Sequence, residues 1–245
     1  MITKSIPSMF TVGNLFLGVM AIILGVQGIV EGESRYLDYA SILVIIGMLL
    51  DGLDGHMARM LNATSEFGKE LDSLSDVVTF GVAPAIIMNL VFLNGYGAWG
   101  IVVTAMFPIC GALRLARFNV KPGEPGFFTG LPITAAGGIL ATLALYHEVF
   151  HPLILIMGVV LLSLLMVSNF KYPKPKKVGI PRTAFWITPL IIGLFAVLAY
   201  QFPSGFPKIA FIPLVLYALY GIKKSMDGAL RRRRRRKKRN FGKKT

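Results

Sequence analysis

Charge is scarce in this chain, and the scarcity is one-sided. Only 16% of the 245 residues are charged, against roughly a quarter in a water-soluble domain. Acids number 12 against 26 Lys and Arg, for a net charge of +14. Cysteine occurs once, at Cys110, so neither a disulfide framework nor a thiolate zinc cluster can form. What fills the space is apolar: 54% of residues are hydrophobic, and the mean hydropathy is +0.65. This balance excludes an ordinary cytosolic enzyme and a disordered tail protein. The same balance argues against a globule binding nucleic acid, because the positive charge is not spread over a polar surface. At ~20 residues per helical span, the chain has room for at most about a dozen crossings.

Eight apolar segments can be marked, at about 9–30, 39–58, 75–93, 97–117, 131–149, 152–169, 184–201 and 207–222. The first follows a single lysine, Lys4, without a small-residue cleavage site, and reads as a span and not as a removed signal. Connectors are short and punctuated by Gly, Pro or charge, as at Asn94–Gly97 and His151-Pro152. Short connectors join antiparallel neighbours, so the expected architecture is one all-α membrane bundle of six to eight spans. With both termini cytoplasmic and eight spans, all Lys and Arg except Arg35 and Lys208 fall on inside segments. That asymmetry is the one expected of a multi-pass protein. The nine-residue basic run from Arg231 to Arg239 has no aromatic residue before Phe241. It therefore reads as a topology anchor touching anionic lipid, at ~1 kcal/mol per basic residue, and not as a nucleic-acid arm.

Against this background four aspartates stand out. Asp51, Asp54, Gly55 and Ala58 follow i, i+3, i+4, i+7 and share one helical face. Gly68, Asp72 and Asp76 follow i, i+4, i+8 and share another. Each intramembrane carboxylate costs roughly 2.5–3.5 kcal/mol on insertion scales. Basic or His side chains near them in sequence are few: His56, Arg59, Lys69 and, further off, Arg114. Two helices facing each other through these stripes would converge the acids beside Gly and Ala, which leave a cavity. Oxygen ligands without Cys or paired His favour Mg²⁺ or Mn²⁺ over Zn²⁺, and four carboxylates suit a two-cation site. The competing readings are close helix packing through small residues and a proton or cation path in a transporter.

The pattern D-x2-D-G-x2-A-R-x8-G-x3-D-x3-D is met at all eight fixed positions from Asp51 to Asp76. Chance agreement is about 10⁻¹⁰ per start site if each residue type is used at roughly one in twenty. The chain thereby resembles the CDP-alcohol phosphotransferase family of membrane lipid synthases, over spans one to six. The resemblance implies a six-helix core, with about two extra C-terminal spans here. Residues 1–222 would form the transmembrane domain (core about 1–170, extra spans about 184–222), and 223–245 a basic cytoplasmic tail. It further implies a homodimer in the cell membrane, a CDP-diacylglycerol-type lipid as donor, and two divalent cations near the cytoplasmic face.

Carried over by resemblance, Asp51, Asp54, Asp72 and Asp76 hold the metals, and Asp76 also serves as the catalytic base. Gly52, Gly55, Ala58, Arg59 and Gly68 would surround the nucleotide, with Arg59 on the phosphates. Thr11 and Asn14, polar groups in an apolar first span, are nucleotide candidates; ordinary helix–helix hydrogen bonding is the alternative. Pro7-Ser8 stands where the family commonly has a Pro-Asn pair.

For the acceptor, the phrases Gly111–Asn119, Phe128–Pro132 and Leu165–Asn169 resemble the phosphatidylserine synthase branch, which acts on L-serine in phospholipid biosynthesis. Thr134 stands where proline is common in that branch. Arg114 and Arg117 lie i, i+3 near the end of span four, with Asn119 and Thr129 flanking the following loop. One arginine can hold a serine carboxylate bidentately. Both can also be inside-facing anchors, and a phosphorylated acceptor such as glycerol 3-phosphate or inositol phosphate would use them equally well.

Overall fold

A computed structural model describes residues 2–60, 65–120 and 127–173, together with the single helical positions Leu216 and Tyr220. Six helices carry the fold among these residues: α1 (Ile2–Glu31), α2 (Ser34–Met60), α3 (Glu66–Val91), α4 (Gly97–Val120), α5 (Ile133–Leu145) and α6 (Pro152–Val167). They correspond in order to the first six apolar segments. The segments expected at 184–201 and 207–222, and the tail 223–245, lie outside the described residues apart from Leu216 and Tyr220.

α1 shows how an apolar helix finds neighbours in a medium as apolar as itself. Its buried positions are Thr11, Asn14, Gly18, Ala21, Gly25 and Gly28, alternately three and four residues apart, which is one face of a helix. Small residues there let backbones approach, and packing of that kind drives association within lipid. A Cβ on Gly18 would stand 2.7 Å from the Cα of Thr79. The opposite face carries exposed Val12, Phe16, Val19, Ile23, Val26 and Val30. α1 packs on α2 and α3 through the small seam, and α5 packs on α2 and α3 from the other side.

α3 departs from expectation at its start. It begins at Glu66, about nine residues ahead of the apolar segment, because Ser65 caps it: the hydroxyl accepts from Gly68 N at 3.0 Å. Hydropathy misses this stretch because its first turns are polar, whereas helix formation depends on the cap. Directly after Asp76 the helix widens into a π-helical stretch, Val77–Val82. The wide turns lie just ahead of Pro84, whose ring would crowd the carbonyl of residue 80 in a regular α-helix. α5 crosses there with its backbone close to Phe80; a Cβ on Gly137 would come within 2.8 Å of the Phe80 Cα.

α5 is the buried centre: from Ala135 to Ala144 no residue is exposed. It is shorter than the 131–149 segment, because the chain turns at Tyr146. α6 packs against α4 and α5 and starts at Pro152 behind an N-capping His151. The loops add one feature outside an all-helical expectation, a small antiparallel ribbon. Strands β1 (Phe127–Thr129) and β2 (Lys171–Pro173) pair Phe128 with Tyr172 and Thr129 with Lys171.

Candidate active site and metal centre

α2 and α3 bring three of the four aspartates together. Asp51, Asp72 and Asp76 each present an oxygen such that all three atoms lie within 4.8 Å of one another. Helical spacing aligns Asp72 with Asp76, and the packing of the bundle sets Asp51 opposite them. Asp76 is buried, while Asp51 and Asp72 are partly exposed toward the site. One carboxylate oxygen of Asp72 is shut off from solvent with no hydrogen-bond donor beside it. Such a group costs several kcal/mol unless something compensates it. Oxygens clustered within that span, without thiol or imidazole, are the donor set of a hard divalent cation. The residues present fit such an ion.

Asp54, Gly55, Ala58 and Arg59 lie further along the same helix, α2; the side chains from Leu53 to Met60 lie outside those described. Gly52 is exposed and a Cβ there would meet nothing within 4 Å, so the surface beside Asp51 is open. Gly68 sits on the first turn of α3, where a Cβ would lie 3.1 Å from Ser65 Oγ and 3.9 Å from Ser8 Oγ. Ser8 of α1 and the start of α3 therefore share the rim of the site.

Thr11 and Asn14 are buried in the α1 seam, not displayed on the rim. Ser75 Oγ donates to the Thr11 carbonyl at 3.2 Å, and Thr79 Oγ1 to the Asn14 carbonyl at 2.9 Å. The Asn14 side chain is 0% exposed, and neither its oxygen nor its nitrogen has a hydrogen-bond partner.

The two arginines of α4 are used differently. Arg117 donates from Nη1 to Val167 O (3.0 Å) and Asn169 Oδ1 (3.3 Å), and from Nη2 to Ser168 O (3.0 Å) and Met166 O (3.3 Å). It thus supplies donors to the last carbonyls of α6, which have no partner within their own helix. Arg114, one turn earlier, is buried with its guanidinium carbon 5.6 Å from the centre of the Phe118 ring. Asn119 Nδ2 donates to Ser73 Oγ at 3.0 Å, tying the end of α4 to the acid-bearing segment of α3. Thr129 is half-buried on β1, paired with Lys171.

One contact to the cluster has no counterpart in the sequence reasoning: Thr134 Oγ1 donates to Asp51 Oδ2 at 3.4 Å. Eighty-three residues separate the two, and no periodicity relates positions so far apart.

Among the described residues three helices are long and apolar enough to cross a bilayer, and the acid cluster set within this bundle has a donor set that suits a hard divalent cation. The profile of CDP-alcohol phosphatidyltransferases matches residues 4–167, which takes in the whole cluster. The chain belongs to the CDP-alcohol phosphatidyltransferase family and is a membrane protein. Among its relatives is a CDP-diacylglycerol–serine O-phosphatidyltransferase of Helicobacter pylori, 38% identical over 224 residues, 88% of this chain and 89% of the relative. A protein of the same name from Methanocaldococcus jannaschii is 36% identical over 91% of this chain and 96% of its own length. Another from Bacillus subtilis is 40% identical over 173 residues, 70% of this chain and 92% of the relative.

Proposed function

We propose that the chain is a CDP-diacylglycerol–serine O-phosphatidyltransferase. It transfers a phosphatidyl group from CDP-diacylglycerol, or a similar CDP-linked lipid, to the hydroxyl of L-serine and releases CMP. The observation that carries the chemistry is the convergence of Asp51, Asp72 and Asp76, one of them with a buried oxygen lacking a donor. Serine as acceptor is supported by the names of relatives that match over most of the chain.

Asp51, Asp54, Asp72 and Asp76 would hold two divalent cations, Mg²⁺ or Mn²⁺. Bound there, such cations neutralise a pyrophosphate and the charge gathering on a departing CMP. The chain's own residues do the rest. Asp76 accepts the proton of the serine hydroxyl as that oxygen bonds to phosphorus and the bond from phosphorus to CMP breaks. The bare backbone at Gly52 leaves the nucleotide room, as Gly55 and Ala58 do further along α2, and Arg59 pairs with the phosphates. Of the two α4 arginines, Arg114 is the one assigned to the serine carboxylate, since Arg117 already serves four acceptors on and just beyond α6. The protein works as a homodimer in the cell membrane, multi-pass, with the site and both termini on the cytoplasmic side. The basic segments flanking the helices support that orientation.

The test is CMP release by the purified protein from CDP-diacylglycerol with Mn²⁺, offering L-serine, glycerol 3-phosphate and inositol phosphate in separate reactions. Serine-dependent CMP that disappears with EDTA is the expected result. Release with a phosphorylated acceptor would keep the metal site and replace serine. Folded protein releasing no CMP with any acceptor would return the acids to an ion path.

A further inference from the structure

Thr134 is half-buried in the first turn of α5, with its hydroxyl on Asp51 Oδ2. At 3.4 Å the bond is long for a hydroxyl donor, so it steers the carboxylate more than it neutralises it. An ionised carboxylate has about four acceptor positions; one such bond leaves the others for a cation while limiting how the group can rotate.

What brings Thr134 there is a clasp between the loop ahead of α5 and the C-terminal end of α6 with the residues just after it. Gly130 N donates to Phe170 O at 2.8 Å, and Leu131 N to Leu165 O at 3.0 Å. Gly130 has φ +80°, and a Cβ there would run into the Met166 carbonyl oxygen and stand 3.0 Å from Arg117 Nη2. Any other residue would be both strained and obstructed at this point. The four donations from Arg117 close the same knot, binding the end of α6 to α4. From Leu131 the chain passes through Pro132 (φ −57°, ψ 138°) directly into α5. The clasp therefore fixes where α5 begins, and Thr134 is its second residue.

We propose that Thr134 is a positioning residue for Asp51, held within reach of it by the clasp that Arg117 and Gly130 close. The proposal rests on reading Asp51 as a metal ligand. Partners that orient a ligand from behind are typically worth 10–100-fold in metal affinity. For a bond this long the expectation lies at the lower end, about tenfold.

The test is Mn²⁺ binding, followed by the electron paramagnetic resonance signal of free Mn²⁺, on purified protein without lipid or serine. Thr134→Val keeps the shape and removes the hydroxyl; it should weaken Mn²⁺ binding about tenfold. Thr134→Ser should restore affinity close to the native value, and KM for serine should stay unchanged in both. Arg117→Gln should weaken Mn²⁺ in the same direction as Thr134→Val. Native Mn²⁺ affinity in Thr134→Val overturns the proposal, and so does a serine variant as weak as the valine one. A raised serine KM in Arg117→Gln with Mn²⁺ affinity intact would make Arg117 an acceptor ligand and remove the clasp from the argument. If the native protein bound no Mn²⁺, the metal reading would fall and take this one with it, whereas tight native binding unaltered in Thr134→Val sinks the Thr134 role alone.

Discussion

At the turn between α1 and α2, Glu31 accepts from Gln27 Nε2 at 2.7 Å and Glu33 from Arg35 Nη2 at 2.8 Å. Both acids are exposed, and each is answered by a residue two or four positions away. Seventeen residues past Ser34, about 25 Å along α2 at 1.5 Å per residue, Asp51 meets Asp72 and Asp76 instead. These acids crowd one another, and one Asp72 oxygen has no donor at all. An acid on an exposed turn needs no explanation beyond its neighbours in sequence. Acids driven together between helices are costly by themselves, and their clustered oxygens suit a divalent cation that would offset that cost.

The largest effect expected from breaking this contrast is at Asp76. Asp76→Asn keeps the volume and removes the proposed base, so turnover should fall by 10²–10⁴-fold while CDP-lipid binding persists; near-native CMP release would refute the role. Next comes stabilisation by metal. A cation at 100 times its Kd adds about 2.7 kcal/mol to a protein that binds it only when folded. Mn²⁺ should thus raise the unfolding temperature of the native protein, and Asp72→Asn should abolish the rise. An equal rise in the variant would place the ion elsewhere.

A smaller, more selective loss is expected at Arg114. Arg114→Lys replaces a planar fork by a point charge and should raise the KM for serine more than it changes kcat. A change in kcat alone would move Arg114 from the acceptor to the framework. Smallest is the outer turn: Glu33→Gln breaks an exposed ion pair worth at most about 1 kcal/mol. Activity should be unchanged and stability nearly so; a loss like that of Asp72→Asn would erase the distinction between the two groups of acids.

The legibility of the site in the sequence follows the range of the interactions that build it. Asp72 and Asp76 repeat at helical spacing on one short segment, so periodicity alone set them on one face. Thr11 and Asn14 stood out as polar residues in an apolar first span, but that Asn14 turns into a sealed seam depends on the helices packed against it. The start of α3 escaped a hydropathy reading because a serine cap decides it. Arg117 was indistinguishable from Arg114 in sequence, three residues apart on one helix. Their difference comes from carbonyls about fifty residues away. Thr134 was noticed only as a departure from a family habit; its partner lies on another helix. The ribbon of β1 and β2 joins two loops that no local pattern connects.

The π-helical stretch that follows Asp76 divides α3 into two parts with independent rotational phase. Ahead of it, Gly68, Asp72 and Asp76 keep one angular register; behind it, Ala83 to Val91 keep another, packed chiefly on α5 and α1. One residue more or fewer in that stretch would turn the apolar half by about 100° relative to the acids. The length of Val77–Val82 thus acts as a gearing between chemistry and packing. Both halves pack on α1, so the number of residues between them sets whether acids and apolar face can both stay in place.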